Sequence, residues 1–249
     1  MDIIYGINPL AEALRQEPCR LASLAVAGGG GKKALNAILN QAEAKRIPVA
    51  FKEKREIDKL TNYGLHQGVV GFYPSFEYVE LDQILKRRHP GFSYHLVLLL
   101  DGITDPQNLG ALIRTAHCHG ANGVIIPEHR SAAVTAAVIK ASAGAALLTP
   151  IVRADNLSRA MEDLKKHGFW IYGADAHAGQ NIHGMAFREH IGLVMGSEGR
   201  GMRPLIRKQC DFLVSVPMYG KIDSLNVAVA AGIMLNDIVR KGANAEGVE

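Results

Sequence analysis

Apolar and polar positions change rhythm near residue 90 of this 249-residue chain. Before that point, short β-type runs alternate with amphipathic stretches. The pattern predicts strands over residues 3–7, 21–27, 49–51 and 68–72, and helices over residues 8–16 and 34–45 and near residues 56–62. Pro9 falls in the first turn of the first helix, where its missing N–H is harmless. Leu35, Ile38, Leu39 and Ala42 recur at helical spacing in the second. From His95 onward the runs become longer and more apolar. Leu96–Leu100 is unbroken, as expected of a strand covered on both faces in a parallel sheet. Further strands are predicted at 123–126, 169–174, 191–195 and 213–216, with helices at 109–118, 134–141, 156–167 and 203–208. This alternation predicts a doubly wound α/β domain.

Between these regions, Pro74–Arg88 has no strong period and reads as a linker holding a short helix; Arg87-Arg88 and Pro90-Gly91 mark its end. The expected division is a small α/β module at 1–75, a linker at 76–94 and a larger α/β domain at 95–249. The chain is organised around Ser215–Leu235. There a β-type run ends at Pro217, a polar loop carries Gly220, Ser224 stands at the expected N-cap, and residues 225–239 read as helix. Val227, Val229, Ile233, Met234 and Leu235 with four small residues leave that helix almost no polar face, which predicts burial on all sides. A Ser-Leu-Asn start under a glycine loop then sets polar groups at the lip of a dry pocket.

Composition adds limits rather than identity. Lys and Arg number 28 against 24 Asp and Glu, a net +4 that is compatible with a polyanion partner without requiring one. Three scattered cysteines, Cys19, Cys118 and Cys210, form neither a disulfide frame nor a zinc spacing, which points to a reducing cytoplasm. MDIIYGINPL lacks a basic start and a long apolar run, so no signal peptide is expected. The apolar stretch 132–148 is interrupted by Lys140 and Ser142, and no membrane span is expected.

Three loops leave the C-terminal ends of predicted strands, where open α/β sheets bind ligands: DGITDPQNLGALIR (101–114), GSEGRGM (196–202) and YGKIDSLN (219–226). Taken singly, Asn108, Ser224 and Asn226 are explained as helix caps, Arg114 as a solvated helix residue and Glu198 as a turn residue. Three polar-and-glycine loops on one sheet edge make those separate accounts less economical. Other motifs fail. The glycines of 196–201 do not follow the dinucleotide pattern, and Lys33 stands where a phosphate-binding loop needs Ser or Thr. His117 and His119 point apart on a helix, so no metal pair is expected; His177 and His183 read as exposed loop residues, and His66-Gln67-Gly68 as a turn.

DGITDPQNLGALIRTA, LVMGSEGRGM and SVPMYGKIDSLNVAVAAGIML resemble, in order and separation, the three motifs of the SpoU (TrmH-type, SPOUT class) RNA 2′-O-ribose methyltransferases. IYGINPLAEAL and LHQGVVG resemble the start and end of the small substrate-binding module of bacterial members that methylate a guanosine ribose in 23S ribosomal RNA. The resemblance implies an α/β-knot domain with a deep C-terminal trefoil knot, which fold rules alone argue against. It further implies S-adenosylmethionine as cofactor, 23S ribosomal RNA as partner, a cytoplasmic homodimer formed through the catalytic domain, and neither metal nor membrane. Carried over residue by residue, it assigns catalytic roles to Asn108, Arg114, Glu198, Ser224 and Asn226. Gly196, Val216, Pro217, Met218 and Leu225 are assigned to the cofactor.

In the mechanism expected from this likeness, positioning contributes roughly 7–11 kcal/mol. Arg114, which stays protonated, clamps phosphate and stabilises the developing alkoxide, with Asn108 and Glu198 orienting it or the ribose. The small module selects RNA through phosphate contacts from Arg15, Arg20, Lys32, Lys33 and Lys45. The competing readings are a tRNA ribose methyltransferase of the same family, a non-catalytic RNA-binding relative and a nicotinamide-dependent oxidoreductase.

Overall fold

The computed structural model describes residues 1–28, 33–87, 91–187 and 190–245, so Lys32 and Arg88 lie outside the described residues. In chain order the elements are β1 (Asp2–Tyr5), α1 (Ile7–Arg15), β2 (Ser23–Ala27), α2 (Lys33–Ala44), β3 (Val49–Lys52), α3 (Lys54–Leu60) and β4 (Val69–Tyr73). They continue as α4 (Leu81–Lys86), β5 (Leu96–Asp101), α5 (Pro106–Cys118), β6 (Gly123–Pro127), α6 (Ala136–Ala141), β7 (Ile151–Ala154), α7 (Leu157–Lys166), β8 (Phe169–Ala174) and β9 (Gln180–Asn181). Last come β10 (His190–Gly196), α8 (Pro204–Gln209), β11 (Phe212–Ser215) and α9 (Val227–Ala245).

Two compact units result: Met1–Glu77 with Val134–Leu148, and Tyr78–Ala133 with the chain from Thr149 onward. The first holds a four-stranded mixed sheet of order β1-β4-β2-β3, with only β2 and β3 parallel. The second holds a seven-stranded sheet of order β7-β6-β5-β10-β8-β11-β9, whose neighbours all run parallel.

These units differ from the expected division in two places. The supposed linker is part of the second unit: Val79 N bonds to Ile151 O at 2.9 Å, and Ile84 is fully buried beside Val97 and Ile125. Gly123 leaves the room for it, because a Cβ there would lie 2.3 Å from Ile84 Cδ1. Residues 134–148 belong to the first unit. Gln16 Nε2 donates to Leu147 O at 2.8 Å, Lys140 Nζ donates to Gln67 Oε1 at 2.7 Å, and Val138, Ile139, Ala145 and Ala146 are buried.

All of β5 and six of the seven residues of β10 are buried, and the two strands lie side by side at the middle of the larger sheet. That is where continuous apolar strands belong, since helices cover both faces. Two strands escaped the pattern, β7 and the two-residue β9, each too short to stand out from its flanking loops. The last helix corrects another expectation. It begins at Val227 and packs on α5, but Val229 is 51% exposed, so in one chain the helix is not buried all round.

Candidate functional site

The parallel register sets Gly196, the end of β10, opposite Asp101, the end of β5. Beyond Gly196 the chain folds back sharply: Ser197 N donates to Gly201 O at 3.1 Å and Gly201 N to Ser197 O at 2.8 Å. Gly199 (φ +77°) and Gly201 (φ +66°) supply the left-handed conformations this turn needs. Gly196 is required for a different reason, close approach: a Cβ there would meet Gly201 C and Met202 N at 2.2 Å. The base of the turn is anchored by Asp101, whose side chain is wholly buried. Its two oxygens accept from Arg203 N and Arg203 Nε, each at 2.7 Å.

Two helices start at this edge. α5 is capped by Asp105, which accepts from Gln107 N and Asn108 N ahead of Pro106 in the first turn. Asn108 is therefore inside the helix, and its side chain is free of capping. α9 is capped by Asn226 rather than Ser224: Asn226 Oδ1 accepts from Ala228 N at 3.0 Å and Val229 N at 3.3 Å. With its oxygen so engaged, the amide turns its Nδ2 outward, donating to Asn108 Oδ1 at 2.9 Å and to Glu198 Oε1 at 2.7 Å. Glu198 Oε1 also accepts from Val227 N at 3.4 Å. One residue from each of the three glycine-bearing loops thus meets at a single amide.

Beside this junction lies a cleft of about 440 Å³. Met195, Gly196, Val216, Met218 and Met234 give it apolar walls, while Glu198, Ser224 and Leu225 stand at its loops. Pro217 lies between two lining residues without lining the cleft itself. Arg114 is exposed on α5, and among the described residues it joins neither the cleft lining nor the Asn226 network. Asn108 and Glu198, expected to orient Arg114 or the ribose, here both bond Asn226, and no bond from either to Arg114 is present among the described residues.

Residues to which the sequence reading gave no site role complete the rim. Asp175 and His177, which follow β8 directly, line the cleft together with Arg200 and Arg207. Arg207 Nε donates to Asp175 Oδ2 at 2.6 Å and His177 N to Asp175 Oδ1 at 2.9 Å. Burial pushes the Asp175 carboxyl upward, but the hydrogen bonds from Arg207 and His177 N, with the Arg207 charge, outweigh it and hold its pKa below the ordinary value. The signal for these residues was available, because the strand 169–174 was predicted correctly and ligands gather just past such ends.

Further on, the loop after β9 is strapped to α9. Lys241 Nζ donates to Ile182 O (2.8 Å), His183 O (2.9 Å) and Met185 O (2.8 Å), and it pairs with Asp237 at 2.6 Å. Burial raises the pKa of Asp237, whose side chain is 5% exposed, yet hydrogen bonds from Lys241, Arg240 and His183 bring it below its ordinary value. Among the described residues no group of His, Cys, Asp and Glu could hold a metal ion, and no helix is long and apolar enough to cross a membrane.

Residues 95–236 match the model of the SpoU rRNA methylase family. The chain belongs to that family. Residues 3–79 match the RNA 2′-O ribose methyltransferase substrate-binding domain. The 23S rRNA (guanosine-2′-O-)-methyltransferase RlmB of Pseudomonas putida is 40% identical over 97% of each chain. YacO of Bacillus subtilis, named as a TrmH family tRNA/rRNA methyltransferase, is 37% identical over 96% of each. The crystal structure of the SpoU methyltransferase AviRb from Streptomyces viridochromogenes, in complex with AdoMet, superposes with a TM-score of 0.78. It is 25% identical, and the match covers 98% of this chain and 91% of that one.

This SpoU-family chain is an S-adenosylmethionine-dependent RNA 2′-O-ribose methyltransferase. Its cleft suits that cofactor: methionine and valine walls offer apolar surface to an adenine ring. Gly196 lets the Gly201–Met202 backbone fold in against the end of β10, and both ends of that turn line the cleft.

Proposed function

We propose that this enzyme methylates the ribose 2′-hydroxyl of a guanosine in 23S ribosomal RNA. The observation carrying this reading is that the likeness to the Pseudomonas putida enzyme extends over 97% of both chains, and so includes the substrate-binding unit as well as the catalytic one. We further propose a cytoplasmic homodimer joined through the catalytic domain, and the C-terminal trefoil knot that the family likeness implies. The exposed Val229 face of α9 supports the dimer, since apolar helix surface gains by being covered.

When bound, S-adenosylmethionine supplies a methyl group already activated on a sulfonium, so the chain's task is placement and charge. Gly196, Val216, Pro217, Met218 and Leu225 are assigned to holding it, by backbone groups and apolar contact. Asn226 is locked by Asn108 and Glu198, which fixes the polar lip of the cleft before substrate arrives. Because Asn108 Oδ1 is the acceptor in that lock, its Nδ2 donors are directed elsewhere, and we assign them with Ser224 to the ribose hydroxyls. Arg114, always protonated, is the phosphate clamp and stabiliser of the forming alkoxide. Its place outside the Asn226 network supports a dimer in which it serves the partner's cleft.

The test is to map ribose methylation in total 23S ribosomal RNA and total tRNA from a strain lacking the gene, then to restore the mark with purified enzyme. One guanosine of 23S ribosomal RNA is expected to lose and regain its methyl group. Loss confined to tRNA would overturn the target in favour of the tRNA reading.

A further inference from the structure

The loop between α3 and β4 shows apolar side chains to solvent in a way the first unit's own packing does not require. α3 closes with Tyr63 N donating to Asp58 O at 2.7 Å and Asn62 N to Lys59 O at 3.1 Å, and with Asn62 left-handed at φ +50°. An asparagine is ordinary at that position. Tyr63 is not ordinary, because it too is left-handed, at φ +60°, where bulky side chains rarely sit. Burial does not compensate, for Tyr63 is 75% and Leu65 77% exposed.

The loop is nevertheless firmly built. Thr61 is 6% exposed, and its Oγ1 donates to Ile57 O at 3.1 Å. His66 Nδ1 accepts from Gly68 N, so Nε2 carries the proton and donates to Asp58 Oδ1 at 2.8 Å. Gly64 packs so closely on Tyr5 that a Cβ would lie 2.9 Å from its hydroxyl. A strained residue held in place by its surroundings points to a role outside the fold.

Charge indicates the partner. Lys54 and Arg55 on α3 are exposed and form no ion pair among the described residues, unlike Arg15, Arg20 and Lys45, which pair with Glu12, Glu77 and Glu17; Lys59, also exposed, shares its charge with Glu56. An exposed aromatic ring just past a helix that carries exposed cations suits unpaired nucleotides: the ring stacks on a base while the cations take the phosphates along the strand. We propose that Tyr63, with Leu65 and the α3 cations, is a stacking platform for an unpaired base of the RNA substrate. This rests on RNA being the substrate, as argued above.

The experiment uses the full chain, Tyr63→Gly and Tyr63→Phe, a fluorescein-labelled RNA hairpin with an unpaired loop, and a fully paired duplex of the same stem. Tyr63→Gly is expected to bind the hairpin about tenfold more weakly and the duplex as before, while Tyr63→Phe matches wild type on both. Glycine suits φ +60°, so the thermal midpoint of Tyr63→Gly should equal or exceed that of wild type, and its S-adenosylmethionine affinity should be unchanged. Hairpin binding at wild-type strength would overturn the proposal and leave a protein contact as the use of this tip. Equal losses on both RNAs, or a lowered midpoint, would also overturn it. Wild type that binds S-adenosylmethionine but neither RNA would defeat the RNA-substrate reading first, and this one with it.

Discussion

Asn226 Nδ2 lies 2.9 Å from Asn108 Oδ1 and 2.7 Å from Glu198 Oε1, while Asn226 Oδ1 caps the last helix. One amide therefore ends the motif-three loop, starts α9 and joins the other two loops. Asn226→Ala should lose about 1 kcal/mol of stability through the missing cap. It should also lose about a hundredfold in methyl transfer, because Asn108 and Glu198 lose the amide that positions them. Asn226→Asp keeps the cap but sets a carboxylate against Glu198, and should recover stability near neutral pH without recovering rate. Thermal melts and single-turnover methylation separate the two effects.

Gly196→Ala tests the close approach in the turn. With 2.2 Å between the new Cβ and Gly201 C, the backbone of 196–202 must move. The cost is about 1–3 kcal/mol of stability, and S-adenosylmethionine affinity should fall more than tenfold by calorimetry. An unchanged affinity would remove Gly196 from the cofactor site.

Arg114→Ala should abolish turnover while S-adenosylmethionine binding stays near wild type, because Arg114 stands apart from the cleft lining. Mixing this variant with an Asn226→Ala variant adds a check on the dimer. If Arg114 serves the partner's cleft, heterodimers regain activity at one of their two sites. No recovery would place it in its own chain's site.

Removing residues 1–75 would separate substrate selection from catalysis if the expected domain division held. The structure predicts a worse outcome. Residues 134–148 remain in the truncated chain and expose Val138, Ile139, Ala145 and Ala146, which were buried in the lost unit. The truncated protein should aggregate or bind a hydrophobic dye, and replacing 134–148 with a short polar linker should restore solubility and cofactor binding. Size-exclusion chromatography of both forms decides.

Acid should destabilise the fold through Asp175 and Asp237. Both carboxyls have folded-state pKa values held below the ordinary carboxylate value near 3.9, so they add stability that is complete above that pH. The contribution is lost as pH falls through the depressed folded values. Asp237→Asn should lose about 1–3 kcal/mol at neutral pH and show a shallower decline of thermal midpoint below pH 4.

Much of this was legible in the sequence. The apolar run 96–100 could hardly be anything but a central strand, and glycines beside Asn108, Glu198 and Asn226 marked the three loops that meet. What escaped depended on distant partners. Ser224 and Asn226 are equally good caps by type, and in the fold Asn226 caps α9 while its amide is held by Asn108 and Glu198. Residues 134–148 look like one more crossover helix, because local pattern cannot tell which sheet a helix will cover. The nearly all-apolar run of α9 pointed to burial on every side, and it could not tell that Val229 would stand half exposed in one chain.

Lys241 holds three main-chain oxygens and a carboxylate, a set of ligands that would suit a bound potassium ion. Because this cation is covalently tethered, neither dilution nor exchange can remove it. Order in the 182–185 segment should therefore persist in buffers of any ionic make-up, while grip on the polyanionic substrate weakens steadily as electrolyte is added.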